Sequence, residues 1–238
     1  MKTLQLLAIL GAFQWFASAS FAAALTFSFA GQTQFFQIPD PDLDFLIGDE
    51  YTGTYTFDSD ALGVPSVGGS SLTTNYPTAV TSWSVTFPRL GLRFGGNTGE
   101  ITIGNDTAFF NSDRYVVTLF AQGTQNPLFR SGRSLRYMQI DLFDIEGVSN
   151  PPPADLLSST AIPTTPPDLN RISAATQGSA IGRVVFNENN NQLQTRTTAL
   201  ASVPEPGNGL FGALISAVAT LSGRTNTRFR RNTECSTR

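Results

Sequence analysis

Three carboxylates stand at alternate positions in Ile38-Pro39-Asp40-Pro41-Asp42-Leu43-Asp44, and Asp49 and Glu50 follow closely. On extended backbone, alternate side chains point to one side. An all-oxygen cluster of this kind suits Ca²⁺, which takes about six to eight oxygen ligands. The spacing is not that of an EF-hand: Phe45 stands where the turn glycine belongs, and Tyr51 stands where the bidentate glutamate belongs. Asp40, Asp42 and Asp44 are therefore an irregular candidate Ca²⁺ site, set against the simpler reading of a solvated acidic loop. Asp58 and Asp60 form a second, smaller pair. For glycoside hydrolysis, which needs two carboxyl groups across a cleft, the candidates on or beside strands are Glu100, Asp141 and Asp144. Acids on exposed strand faces are ordinary, and the spacing of these three establishes no dyad. Trp83 and the tyrosines offer a sugar-stacking platform, but Trp83 alternates with Val85 and Phe87, which favours a core position. Asn105-Asp106-Thr107 matches a glycosylation sequon and equally suits a hairpin turn, the reading we favour.

Several chemistries are excluded by composition. The chain has no histidine, so His-ligated metals and Ser-His-Asp or Cys-His catalysis are out of reach. Its one cysteine, Cys235, lies near the end of the sequence, so no intramolecular disulfide can form. Residues 25–206 hold nine Arg against seventeen acids, a net of −8. Such a body does not hold nucleic acid by neutralising phosphates.

The elements that position these residues read as strands. Period-two alternation marks Leu25–Phe29, Tyr51–Phe57, Ser82–Phe87 and Arg136–Leu142. Further strands are expected over Glu100–Ile103, Thr107–Phe110, Arg114–Ala121, Ile181–Asn187 and Gln192–Thr198, with Gly104-Asn105-Asp106 as a hairpin turn between two of them. A proline-rich stretch from Pro151 opens a long crossing loop that reaches about Arg171. No segment of the body carries a clean helical period. The expected fold class is all-β: a single antiparallel β-sandwich, jelly-roll-like, over 25–200, with a closed barrel as the second architecture.

The two ends read differently. Residues 1–24 have the order of an export signal: Lys2, the apolar run Leu4–Phe13, then Ala-x-Ala patterns at Ala17 and Ala22. Cleavage is expected near Ala23 or Ala24. Residues 201–238 join Val203-Pro204-Glu205-Pro206, an uncharged apolar span over 209–223, and Arg224, Arg228, Arg230 and Arg231. The span is shorter than the roughly 20 residues that cross a bilayer as a helix. The arginines after it would hold the end on the cytoplasmic side.

That three-part ending resembles the PEP-CTERM sorting signal of bacterial surface proteins. In the body, Gly53–Asp60, Met138–Asp144, Ser158–Pro163 and Pro166–Asp168 also look similar to β-rich members of such families. The resemblance implies an apolar C-terminal helix that anchors the precursor in the inner membrane. It implies an exosortase-type membrane protease as partner, recognising the motif at Glu205, and association with extracellular polysaccharide or biofilm. The expectation is thus an exported, non-enzymatic protein of the cell surface or extracellular matrix. Two alternatives stand beside it: a calcium-dependent carbohydrate-binding module built on Asp40, Asp42 and Asp44, and a hydrolase in which Glu100 and Asp141 face each other across a pocket.

Overall fold

The computed structural model describes residues 24–36, 45–66, 72–107, 112–121, 126–129, 131–145, 156–172, 179–187 and 192–204. Their strands are β1 (Ala24–Phe36), β2 (Glu50–Asp58), β3 (Val64–Pro65), β4 (Thr73–Phe87), β5 (Leu92–Gly96), β6 (Gly99–Thr107), β7 (Ser112–Phe120), β8 (Leu135–Ile145), β9 (Ser179–Phe186) and β10 (Gln192–Ser202). Every pairing is antiparallel. The hydrogen-bonded order is β2-β1-β10-β9-β8-β7-β6-β4, and β4 then pairs back to β2. Eight strands therefore close into a barrel, with β3 and β5 paired to β4 outside the ring.

Closure corrects the expected sandwich and its jelly-roll form. Alternation in sequence records one buried face per strand, and that is common to both architectures. The deciding element is β4, whose 15 residues serve two partners within the ring. Thr73–Tyr76 pairs with β6, Val80–Thr86 pairs with β2, and the register breaks between Tyr76 and Val80. A bulge bends a strand and sharpens its twist. Past the break Val80 still meets β6 at Gly99 while it begins the pairing with β2, whose edge a sandwich would leave open. The C-terminal apolar helix of the expected fold, over 209–223, lies outside the described residues, as do residues 1–23.

The barrel is packed solid. Phe27, Phe29, Tyr51, Tyr55, Phe57, Val85, Ile101, Tyr115, Val117, Met138 and Ile140 are all buried, as suits an eight-stranded barrel whose interior side chains fill the bore. Phe27 meets Phe57 edge-on, with centroids 4.9 Å apart. Polar tips inside find each other: the Tyr55 and Tyr115 hydroxyls lie 2.9 Å apart, and the Tyr51 hydroxyl donates to Thr195 Oγ1 at 3.2 Å. Burial pushes the Tyr55 and Tyr115 hydroxyls up from their ordinary range, so both stay neutral. Gly31 makes room for the Tyr51 ring, because a Cβ there would lie 2.3 Å from the tyrosine oxygen.

Gly104-Asn105-Asp106 does not form the expected hairpin turn. The segment continues β6 as a register shift, with Asp106 at φ 49°, and the connection to β7 falls after Thr107. Asp tolerates that left-handed conformation, so the same residue types that signal a turn can also build a bulge.

Loops close both mouths. Where β1 begins and β10 ends, a strap over residues 156–172 sends Leu156, Leu157 and Ile162 into the core. At the opposite mouth Phe45, from the β1–β2 connection, and Phe129, from the β7–β8 connection, pack on each other and on Phe186.

Candidate functional site

The outer face of β1, β10 and β9 carries a groove beneath the end of the strap. Gln32 on β1 lies opposite Arg196 on β10, Arg196 lies opposite Ile181 on β9, and Gln194 lies opposite Arg183. Thr33 and Thr195 are buried in the barrel, so alternation turns Gln32, Gln34, Gln194 and Arg196 outward. Above them the strap folds into an Asx-type turn. Asp168 Oδ1 accepts from the Asn170 backbone N–H at 3.0 Å and from Asn170 Nδ2 at 2.9 Å, and the Arg171 N–H donates to the Asp168 carbonyl at 3.0 Å. The same turn sets half-buried Leu169 and Ile172 against the core. The groove encloses about 670 Å³, within the usual range for ligand pockets. Its polar groups are the four amides, the Arg196 guanidinium and the hydroxyls of Ser179 and Thr198, over Leu169, Ile172, Ala180 and Ile181. No carboxylate is among its described lining residues.

A second cluster lies inside the mouth that the strap covers. Asp113 on β7 and Asp144 on β8 are cross-strand partners, both fully buried. Side chains directly opposite in an antiparallel pair have Cβ atoms about 5 Å apart. Asp113 Oδ2 accepts from the Leu157 N–H at 2.7 Å, and its Oδ1 accepts from the Asp106 N–H at 3.0 Å. This carboxylate thus ties the strap to the barrel. The Tyr76 hydroxyl adds a tie to the Thr160 carbonyl at 2.7 Å.

Of the residues singled out from sequence, Glu100 and Asp141 share the outer face and do not face each other across a pocket. Glu100 lies opposite Thr118 on β7, whereas Asp141 lies opposite Val116 and is gripped by Arg114 at 2.9 and 2.5 Å. That ion pair pushes the Arg114 guanidinium up from its ordinary range, mainly through its hydrogen bond to Asp141. Asp144 is paired with Asp113, not with Asp141. Trp83 is buried, and its indole N–H donates to the Phe120 carbonyl at 3.2 Å, as a core tryptophan does. Asp58 closes the turn after β2 by accepting from the Asp60 N–H at 2.9 Å.

Asp49 is buried at the aromatic mouth, bonded to Arg89 and to the Leu46 N–H. Val203 and Pro204 end the barrel. Asp40, Asp42, Asp44, Glu205, Pro206, Arg224, Arg228, Arg230 and Arg231 lie outside the described residues. Among the described residues no three His, Cys, Asp or Glu side chains gather as a metal site, and no helix is long and apolar enough to cross a membrane.

Sequence reasoning did not single out Asp113 or the groove. Parity carries a signal for the first: Asp113 shares a face with Tyr115, Val117 and Leu119, as Asp144 does with Ile140 and Leu142. A carboxylate on the apolar face of a strand marks a buried, hydrogen-bonded acid. The groove had no such signal, because it requires knowing that β1 and β10, remote in sequence, are neighbours. No family model, curated protein or solved structure matches this chain.

Proposed function

We propose that the protein is an exported, non-enzymatic component of the cell surface or extracellular matrix, delivered by a PEP-CTERM-like sorting tail. In this reading residues 1–24 serve export. The apolar span then holds the precursor in the inner membrane while an exosortase-type protease acts at Val203-Pro204-Glu205-Pro206. The barrel is released or displayed outside, where extracellular polysaccharide is its surrounding.

The observation that carries the reading is where the strands stop. The final backbone bond of the barrel runs from the Val203 N–H to the Thr26 carbonyl at 2.8 Å. Pro204 has no N–H, so the β1–β10 ladder ends at the first proline of the motif. The chain correspondingly divides into a compact unit ending at Val203 and a second unit from Pro204 to Arg238. At the other end β1 starts at Ala24, the last residue of the Ala22-Ala23-Ala24 pattern. Cuts after Ala23 and within the proline motif would leave all eight barrel strands whole.

The test is mass spectrometry of the protein recovered from cell surface and medium, beside a Glu205→Ala variant. The wild type is expected to lack both terminal segments, and the variant to stay in the membrane fraction with its C-terminus attached. An intact C-terminus in both would remove the sorting reading.

A further inference from the structure

We infer that the groove on β1, β10 and β9 binds an acidic oligosaccharide, with Arg196 on a sugar carboxylate and the amides on neighbouring hydroxyls. Vicinal sugar hydroxyls both donate and accept. Planar amides do the same from one side chain, and Gln32, Gln34, Gln194 and Asn170 bring four of them to one groove. Asn170 is also oriented in advance, since its amide nitrogen is bonded to Asp168. The apolar floor formed by Leu169, Ile172, Ala180 and Ile181 suits the C–H face of a pyranose ring.

Charge selects the acidic class. Among the described residues the lining contains one guanidinium and no carboxylate, in a body of net −8. Arg196 is exposed and makes no ion pair among the described residues. Its planar fork fits a carboxylate with two parallel hydrogen bonds. Arg183, opposite Gln194 and also exposed, lies diagonally across from Arg196 and extends the positive edge toward β8. Along that outward row Glu50, opposite Gln32, and Asp141, opposite Ile181, each lie two strands from Arg196, and Asp141 is engaged by Arg114. The arrangement needs no metal ion, which separates it from a calcium site at Asp40, Asp42 and Asp44.

The test is calorimetric titration of the full chain in mild detergent with tetragalacturonate, with neutral galactotetraose of equal length in parallel. The acidic tetramer should bind with the same affinity in EDTA and in calcium, and clearly more tightly than the neutral one. Arg196→Gln should weaken it by about tenfold or more, the usual worth of a charge-assisted bidentate contact. Gln194→Ala should weaken it by a smaller factor, and Arg93→Gln, on β5 outside the groove, should leave it unchanged. Circular dichroism of each variant reports folding separately. The inference is overturned if the acidic tetramer does not bind, if EDTA abolishes binding, or if Arg93→Gln weakens binding as much as Arg196→Gln. Binding in solution is independent of sorting, so a negative titration leaves the exported reading standing, and failed processing leaves the groove standing.

Discussion

The barrel closes its two mouths with opposite chemistry. At one, Phe45 and Phe129 meet each other, Phe87, Phe94 and Phe186 through rings with centroids 5.0 to 6.3 Å apart. At the other, aliphatic Leu156, Leu157 and Ile162 seat the strap, but a buried carboxylate fixes where it sits. Aromatic burial is strong and tolerant of small shifts, since contact area changes gradually with position. A buried acid on two backbone N–H groups is directional, and its burial carries a desolvation cost that those bonds must offset. The aromatic mouth should therefore contribute more to global stability. The strap mouth should be the one that opens locally, and the proposed groove lies along the strap's end.

The largest expected effect tests the aromatic side. Phe129→Ala leaves a cavity among the rings of Phe45, Phe94 and Phe186 and should cost about 3–5 kcal/mol in urea unfolding, while the strap keeps its native protease resistance. Asp113→Ala should cost less, about 2–3 kcal/mol, because it orphans the Leu157 and Asp106 N–H groups but relieves Asp144 of a carboxylate neighbour. Its signature is local: cleavage within 156–172 should accelerate before global unfolding, and Asp113→Asn should recover part of the loss. The strands between the mouths are 8 to 15 residues long, so the two substitutions share no neighbours and should add to within about 0.5 kcal/mol. A clearly non-additive double variant, or a strap that loosens in Phe129→Ala, would show that the mouths act as one unit.

How much of this was legible in the sequence follows from the range of each interaction. Each of the eight barrel strands overlaps a run read as a strand, because the pattern Tyr51-Tyr55-Phe57 or Met138-Ile140-Leu142 is local, but Leu25–Phe29 stops well short of Phe36 in β1 and Ser82–Phe87 leaves out the first nine residues of β4. Closure was not, since it depends on β4 changing partner between Tyr76 and Val80, and neither pairing leaves a mark in the residues of β4 itself. β5 was missed because Leu92-Arg93-Phe94-Gly95-Gly96 is short and ends in two glycines. Phe45 and Phe129 sit in connections, where an isolated apolar residue reads the same whether it is exposed or plugs a barrel; the exposed Leu46 and Leu128 beside them show how little sequence distinguishes the two. The groove depends on Gln32 meeting Arg196, a pairing across the whole barrel sequence.

The smallest expected effect concerns the Asp49–Arg89 ion pair at the aromatic mouth, and it sharpens the contrast through pH. Burial alone would raise the Asp49 carboxyl, but the hydrogen bond from Arg89, the Leu46 N–H and the Arg89 charge together hold it below its ordinary range. A carboxyl lowered on folding adds stability that is complete above its unfolded pKa of about 4 and is lost as pH falls through the lower folded value. Arg89 is 44% exposed, so solvent screens the pair, and Arg89→Gln should cost only about 1 kcal/mol at neutral pH. The difference in Tm between wild type and Arg89→Gln should hold steady from pH 7 to about 5 and then shrink below about 4 as Asp49 protonates in both. Because the rings do the main work at this mouth, even full protonation should leave Phe129 protected. If the Arg89→Gln loss instead rivalled that of Phe129→Ala, the aromatic mouth would depend on a buried acid as the strap does, and the two ends would differ in residues but not in principle.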